Sequence, residues 1–203
     1  MIDKALLDLV SEVKDIMISN HLTIAVAESC TGGLLASCLT SLEGSSNYFS
    51  CGFVTYSNQT KISLLSIPSQ TIKQFGAVSK EVAEAMALGA IHKAESSIAV
   101  SITGIAGPAG GTLDKPVGTV WIAITYLANI DAFTPTCSQP IFALPTSDEI
   151  HEELTAIKHR FVTKSYLSMF DPMNYDIDSY SKRQMIRYLS CQKALKLILQ
   201  NIN

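Results

Sequence analysis

The chain has 203 residues, a formal net charge of −3, an apolar share of 47% and a charged share of 16%. That length and apolar share suit one α/β domain with a sizeable core and exclude a disordered chain. With no basic block and only four scattered histidines, a surface tracking nucleic-acid phosphates is excluded, whereas a single anion pocket is not.

Leu6, Leu9, Val10, Val13, Ile16 and Met17 recur at helical spacing, which predicts an amphipathic helix over 4–19. The apolar run from Thr23 to Ala27 has the length of a buried strand, and Leu34–Leu39 reads as a helix. Between them lies Glu28-Ser29-Cys30-Thr31-Gly32-Gly33, so strand, glycine turn and helix form one βα unit. Phe53–Tyr56 reads as a second strand, and Ser79 as the cap of a helix over 80–95. Ile98–Ile102 reads as a third strand running into the glycine-rich loop Thr103–Gly111. Val117–Ile124 reads as a fourth, with Trp121 in the core. Residues 128–145 are turn-rich, with one short strand at Ile141–Ala143. Residues 147–168 read as helix, 171–179 as loop and 182–200 as a final helix. No internal repeat or low-complexity linker interrupts the chain. The expectation is one domain over 1–203, elaborated at about 128–179.

Five cysteines in no CxxC pair and with no metal-like spacing suggest reduced thiols in a cytosol. No apolar run reaches the roughly 18–20 residues of a membrane span, and Asp3, Lys4 and Asp8 interrupt the start too early for a signal peptide.

In open α/β sheets, ligands sit beyond the carboxyl ends of the strands, where three small-residue loops would converge. Ser29 stands where a strand turns into a helix, beside Gly32 and Gly33 amides suited to an oxyanion or an anionic group. His21, His92, His151 and His159 all lie outside these loops, so a Ser-His-Asp triad is poorly supported. Lys61, shortly after the second strand, becomes the candidate base; a partly desolvated lysine can lose its proton near neutral pH. The competing reading is a helix-capping serine and a solvated lysine. Only one of Ser29 and Cys30 should face the site, and cysteine there is expected to be inert core. Glu28 either orients Lys61 or caps backbone amides. The Thr103–Gly111 loop is a ligand loop or a tight turn, matching neither a Walker nor a dinucleotide pattern.

The motifs Ala27–Gly33 (AESCTGG), Gly44–Ser46 (GSS), Gly52–Lys61 (GFVTYSNQTK), Gly76–Ser79 (GAVS), Ser101–Gly111 (SITGIAGPAGG) and Lys115–Trp121 (KPVGTVW) stand in consistent order. Together they resemble the CinA C-terminal domain, whose standalone members are nicotinamide-mononucleotide deamidases. The resemblance implies a three-layer α/β/α fold, commonly homodimeric, and hydrolysis of nicotinamide mononucleotide to nicotinate mononucleotide and ammonia. It implies a Ser29–Lys61 dyad without metal or cofactor. It also implies a substrate pocket drawn from Thr31, Gly32, Gly33, Ser46, Tyr56, Asn58, Thr103 and Gly104, to which Glu28 is added as a further substrate-binding candidate. Longer members carry a molybdopterin-binding-like domain that this sequence does not contain.

The resemblance breaks after residue 127. Family members pass quickly to a Gly-Asp-Arg and a helix; here the counterpart is Arg183-Gln184-Met185-Ile186-Arg187, preceded by Ser181-Lys182 and about forty residues late. Arg183 is the expected phosphate ligand, with Arg187 or a surface role as the competing readings. The alternatives are a nucleotide-binding module without catalysis, an enzyme shifted to another substrate, and a contact surface over 128–179 carrying Tyr166 and Phe170.

Overall fold

The first helix, α1 (Lys4–Ser19), opens where the Asp3 carboxylate accepts the Leu6 N–H at 3.0 Å and buries Leu6, Val10, Val13 and Met17. This is a computed structural model describing residues 2–128, 161–171 and 179–202. Among the described residues five further helices follow: α2 (Leu34–Leu39), α3 (Asn58–Leu65), α4 (Ser69–Phe75), α5 (Lys80–Ala94) and α6 (Ser179–Ile202). The strands are β1 (Ile24–Glu28), β2 (Phe49–Val54), β3 (Ile98–Gly104), β4 (Thr119–Leu127) and β5 (Phe161–Met169).

They form one mixed sheet in the order β2-β1-β3-β4-β5. β1 is parallel to both β2 and β3, whereas β4 and β5 are antiparallel to their neighbours. Every residue of β1 is buried, as a central strand covered on both faces requires. Alternation divides its side chains: Ile24 and Val26 join the core of α1, α2 and α6, while Ala25 and Ala27 join that of α5. The result is the expected three-layer α/β/α arrangement. The carboxyl ends of β1, β2 and β3 share one edge, so the loops after Glu28, Val54 and Gly104 gather there.

Several boundaries shift. β1 takes in Glu28, β2 begins at Phe49 rather than Phe53, and β4 runs Thr119–Leu127 rather than Val117–Ile124. α3 and α4 are additional to the sequence reading. α3 has no clear apolar stripe; a capping box between Ser57 and Thr60 starts it, and its far end lies on α5 at Gly89. A Cβ at Gly89 would stand 2.3 Å from the Leu65 carbonyl oxygen, so only glycine permits this approach, which seats the helix bearing Lys61.

The helix expected over 147–168 is corrected in its described part. Phe161–Met169 pairs with β4 over nine positions, from Leu127 opposite Phe161 to Thr119 opposite Met169. Val162, Thr163, Tyr166 and their neighbours favour a pleated surface over a helix. Tyr166 and Phe170, two of the residues read as a contact surface, are partly buried against the core. The strand read at Ile141–Ala143, residues 147–160 and most of the loop read over 171–179 lie outside the described residues. No helix among the described residues is long and apolar enough to cross a membrane.

Candidate active site

Strand alternation sends Glu28 and Ser29 to opposite layers of the molecule. Glu28 turns toward α2, while Ser29 turns toward α3 and meets Lys61. Both residues of this pair are buried, Ser29 with 9% and Lys61 with 1% of its surface exposed.

Lys61 lies in the first turn of α3, and its Nζ has three oxygen neighbours. Ser29 Oγ is at 2.9 Å, the Thr55 carbonyl at 2.7 Å and the Tyr56 carbonyl at 3.5 Å. Two of these are carbonyls, which can only accept, so each takes an N–H of the amine. In the neutral amine, the remaining lone pair is then left for the serine hydroxyl. Burial pushes the Lys61 pKa down to about 8, from an ordinary 10.5. The pair therefore has the geometry of a nucleophile and its base, and a base near neutrality to drive it.

Cys30 faces away, into the core of α1, α2 and α6, and burial pushes its thiol up to about 12. It is core, as expected.

The structure decides the role of Glu28. Its carboxylate accepts N–H bonds from Gly33 (3.0 Å), Leu35 (3.1 Å) and Ala36 (2.7 Å) and is wholly buried. It caps the amides of α2 and does not orient Lys61. It also does not face the pocket, which corrects its placement among substrate-binding residues. The same cap corrects the expected oxyanion donors: the Gly33 amide is taken by Glu28, and the Gly32 amide donates to the Ser29 carbonyl at 3.1 Å. Gly104, at the end of β3, remains.

The other expected pocket residues divide. Tyr56 and Asn58 are exposed beside Lys61, at the end of β2 and the start of α3. Thr31 is fully buried, its hydroxyl without a protein partner. Thr103 is buried and its hydroxyl donates to the Ala77 carbonyl at 2.8 Å, tying β3 to the turn before α5. Ser46 is a correction: it lies in the 3-10 turn Ser45–Asn47 before β2, at the opposite end of the sheet. A strand of that length puts it roughly 15–20 Å from Ser29 within one chain.

The two arginines of the rebuilt segment, four residues apart on α6, have distinct duties. Arg187 gives Nε and Nη2 to the Thr31 carbonyl at 3.1 and 2.7 Å, fixing the turn after Ser29. Arg183 donates to the Gly107 carbonyl and, at 2.9 Å, to the Tyr56 hydroxyl. Because Gly107 follows β3 and Tyr56 follows β2, Arg183 spans the mouth above the end of β1. The Thr103–Gly111 loop thus contributes to the rim.

Two roles had no signal at the sequence level. The Thr55 carbonyl that holds Lys61 is main chain, which no residue type announces. Lys115 holds the carbonyls of Phe75 (3.1 Å) and Val78 (2.7 Å), a brace recognisable only once α4 and α5 are placed. Among the described residues no group of three or more His, Cys, Asp or Glu could hold a metal ion.

Known proteins resemble this chain in sequence and in fold. A CinA-like protein of Geobacter sp. (strain M21) is 58% identical over 103 residues, covering 51% of this chain and 25% of that protein. A nicotinamide-nucleotide amidohydrolase PncC of Enterobacter agglomerans is 49% identical over 121 residues, 60% of this chain and 74% of that one. The chain thus spans about a quarter of the CinA-like relatives it matches, but most of the shorter amidohydrolase. The crystal structure of competence/damage inducible protein CihA from Agrobacterium tumefaciens superposes with a TM-score of 0.76 at 29% identity, covering 98% of this chain and 97% of that one. A CinA superfamily protein of Escherichia coli gives 0.73 at 28% identity, covering 98% and 92%. With the model of the CinA C-terminal domain matching residues 7–139, this chain belongs to that family.

Proposed function

We propose that the protein is an amidohydrolase converting nicotinamide mononucleotide to nicotinate mononucleotide and ammonia by a Ser29–Lys61 dyad. The observation that carries this is the buried 2.9 Å contact between Lys61 Nζ and Ser29 Oγ, with Lys61 depressed to about 8. The relative named for nicotinamide-nucleotide amidohydrolysis supports the substrate class.

Neutral Lys61 takes the Ser29 proton as Oγ attacks the carboxamide carbon. The oxyanion falls to the Gly104 amide and neighbouring donors; one good donor contributes roughly 3–4 kcal/mol. Lys61 returns its proton to the departing nitrogen, the C–N bond breaks and ammonia leaves. Water then attacks the acyl ester, giving its proton to Lys61, and the serine oxygen recovers a proton as nicotinate is released. The intact dyad geometry favours this over a binding module without catalysis. A cytosolic homodimer goes with the same reading, and the mass in solution tests the second half of it. Ser29→Ala is expected to abolish ammonia release from nicotinamide mononucleotide; turnover retained in that variant would remove the nucleophile.

Arg183 supplies the phosphate end. Substrate phosphate would replace Gly107 and Tyr56 as acceptors for its guanidinium, a planar fork suited to two phosphate oxygens. Arg183→Met should raise KM for the mononucleotide roughly tenfold to a hundredfold, the worth of hydrogen bonds to a charged group. Nicotinamide riboside, which has no phosphate, should be handled equally by both proteins. An equal loss on both substrates would place Arg183 in the scaffold.

A further inference from the structure

Among the described residues, Glu28 and Lys61 are the two charged side chains that are fully buried. Lys61 has a chemical task; Glu28 takes no part in any step above. We propose that Glu28 is a positioning residue, whose carboxylate clamps the turn carrying Ser29 so that Oγ stays on Lys61. The proposal rests on the dyad reading.

Three features carry it. The residue beginning α2 is Gly33, at φ +91°, and it offers no side-chain cap. The task falls to Glu28, five residues upstream, whose two oxygens collect the Gly33 amide and the first-turn amides of Leu35 and Ala36. These are charge-assisted bonds at the positive end of a helix, stronger than neutral ones. They close the segment from Ser29 to Gly33 into a loop fixed at both ends. At its near end, the Ser29 N–H donates to the Ile102 carbonyl at 2.9 Å.

The same residue also reaches the base through its backbone. The Glu28 carbonyl accepts the Thr55 N–H at 2.8 Å, and the Thr55 carbonyl accepts from Lys61 Nζ at 2.7 Å. Glu28 is therefore where the frames of nucleophile and base meet. Its backbone contribution survives any side-chain change; its carboxylate acts on the serine turn alone. A glutamine keeps the volume but loses the charge. It has one acceptor oxygen, and its NH2 would face an amide N–H.

The consequence is a specific kinetic signature. In Glu28→Gln the turn loosens while Lys61 stays on Thr55 and Tyr56, so the dyad separates from the serine side. Well below the melting temperature, kcat for nicotinamide mononucleotide should fall about a hundredfold, the effect of roughly 1 Å of misplacement. KM should stay within about twofold, and the pH at which activity is half-developed should not move.

Three results would overturn the proposal. The first is a kcat within about threefold of wild type, which makes the cap a stability element only. The second is a shifted pH midpoint, which puts the carboxylate on Lys61. The third is a raised KM with kcat kept, which turns Glu28 toward substrate. If Glu28→Gln does not fold, Glu28→Asp carries the same test, since it keeps the charge but shortens the reach by one methylene. Ser29→Ala run alongside separates the two failures. Turnover in that variant removes the dyad itself, whereas a dead Ser29→Ala beside full-speed Glu28 variants removes only the positioning role.

Discussion

Lys61→Met is expected to lose at least about a thousandfold in ammonia release, the upper part of the usual range for a general base. The same substitution should alter how stability depends on pH. Lys61 has a folded-state pKa near 8 against an ordinary 10.5, so the unfolded chain binds its proton more tightly than the native one. Below about 8 the native state bears the full cost of a buried ammonium. As pH rises from about 8 to 10.5 that cost disappears, so stability increases through this window. The total is about 3 kcal/mol, from the usual conversion of a pKa difference into free energy.

Methionine fills a similar volume and carries no proton, so Lys61→Met should lack this rise. Denaturant midpoints of both proteins between pH 7 and 10.5 give the contrast directly, because every other titrating group cancels in the difference. The Thr55 carbonyl and Ser29 hydroxyl lose a partner in the variant, but that loss does not vary with pH. Parallel curves for the two proteins would mean that Lys61 is not desolvated in the folded state. Burying Lys61 destabilises the folded state at neutral pH, and what burial gives in return is an amine that is neutral at a lower pH than a solvated lysine.

How much of this was legible beforehand depends on where each instruction is written. The sheet's parallel half was readable because Thr23–Ala27 and Ile98–Ile102 are mostly apolar runs, broken only by Thr23 and Ser101, the mark of strands covered on both faces. Ser29 and Cys30 were separable because neighbours on a strand or tight turn face opposite ways, and the structure puts one on Lys61 and the other in the core. The same alternation held the answer for Glu28, one position earlier. What it could not supply was the donor set: Gly33, Leu35 and Ala36 give the carboxylate backbone N–H groups whose direction depends on the turn. Ser46 was misplaced for another reason. Proximity in a motif list carries no information about which end of the sheet a turn occupies, and Ser45–Asn47 precedes β2 whereas Ser29 follows β1. β5 was hidden because Phe161–Met169 alternates weakly and gains its strand character from pairing with β4. The R-x-x-I-R spacing did put Arg183 and Arg187 on one side of a helix. Only the fold shows that Arg187 is spent on Thr31 and Arg183 spans the mouth.

The pH dependence of turnover distinguishes the base from its neighbours. A neutral amine is required for proton abstraction, so kcat/KM should rise tenfold per pH unit below about 8 and level off above it. The thiol of Cys30 adjoins the nucleophile and is the obvious rival owner of such a limb. Burial holds it near 12, far outside the window, and it lies on the opposite side of the turn. Cys30→Ala should therefore leave the midpoint where it is. Arginine stays charged throughout, so Arg183 can set the height of the profile but not its shape. A limb that moves with Cys30→Ala would transfer the titration to the thiol. A profile flat from pH 6 to 9 would mean that proton abstraction from Ser29 does not limit the reaction. The expected curve, half-developed near 8 and unmoved by the cysteine, assigns the proton to the one amine that two carbonyls turn toward a serine.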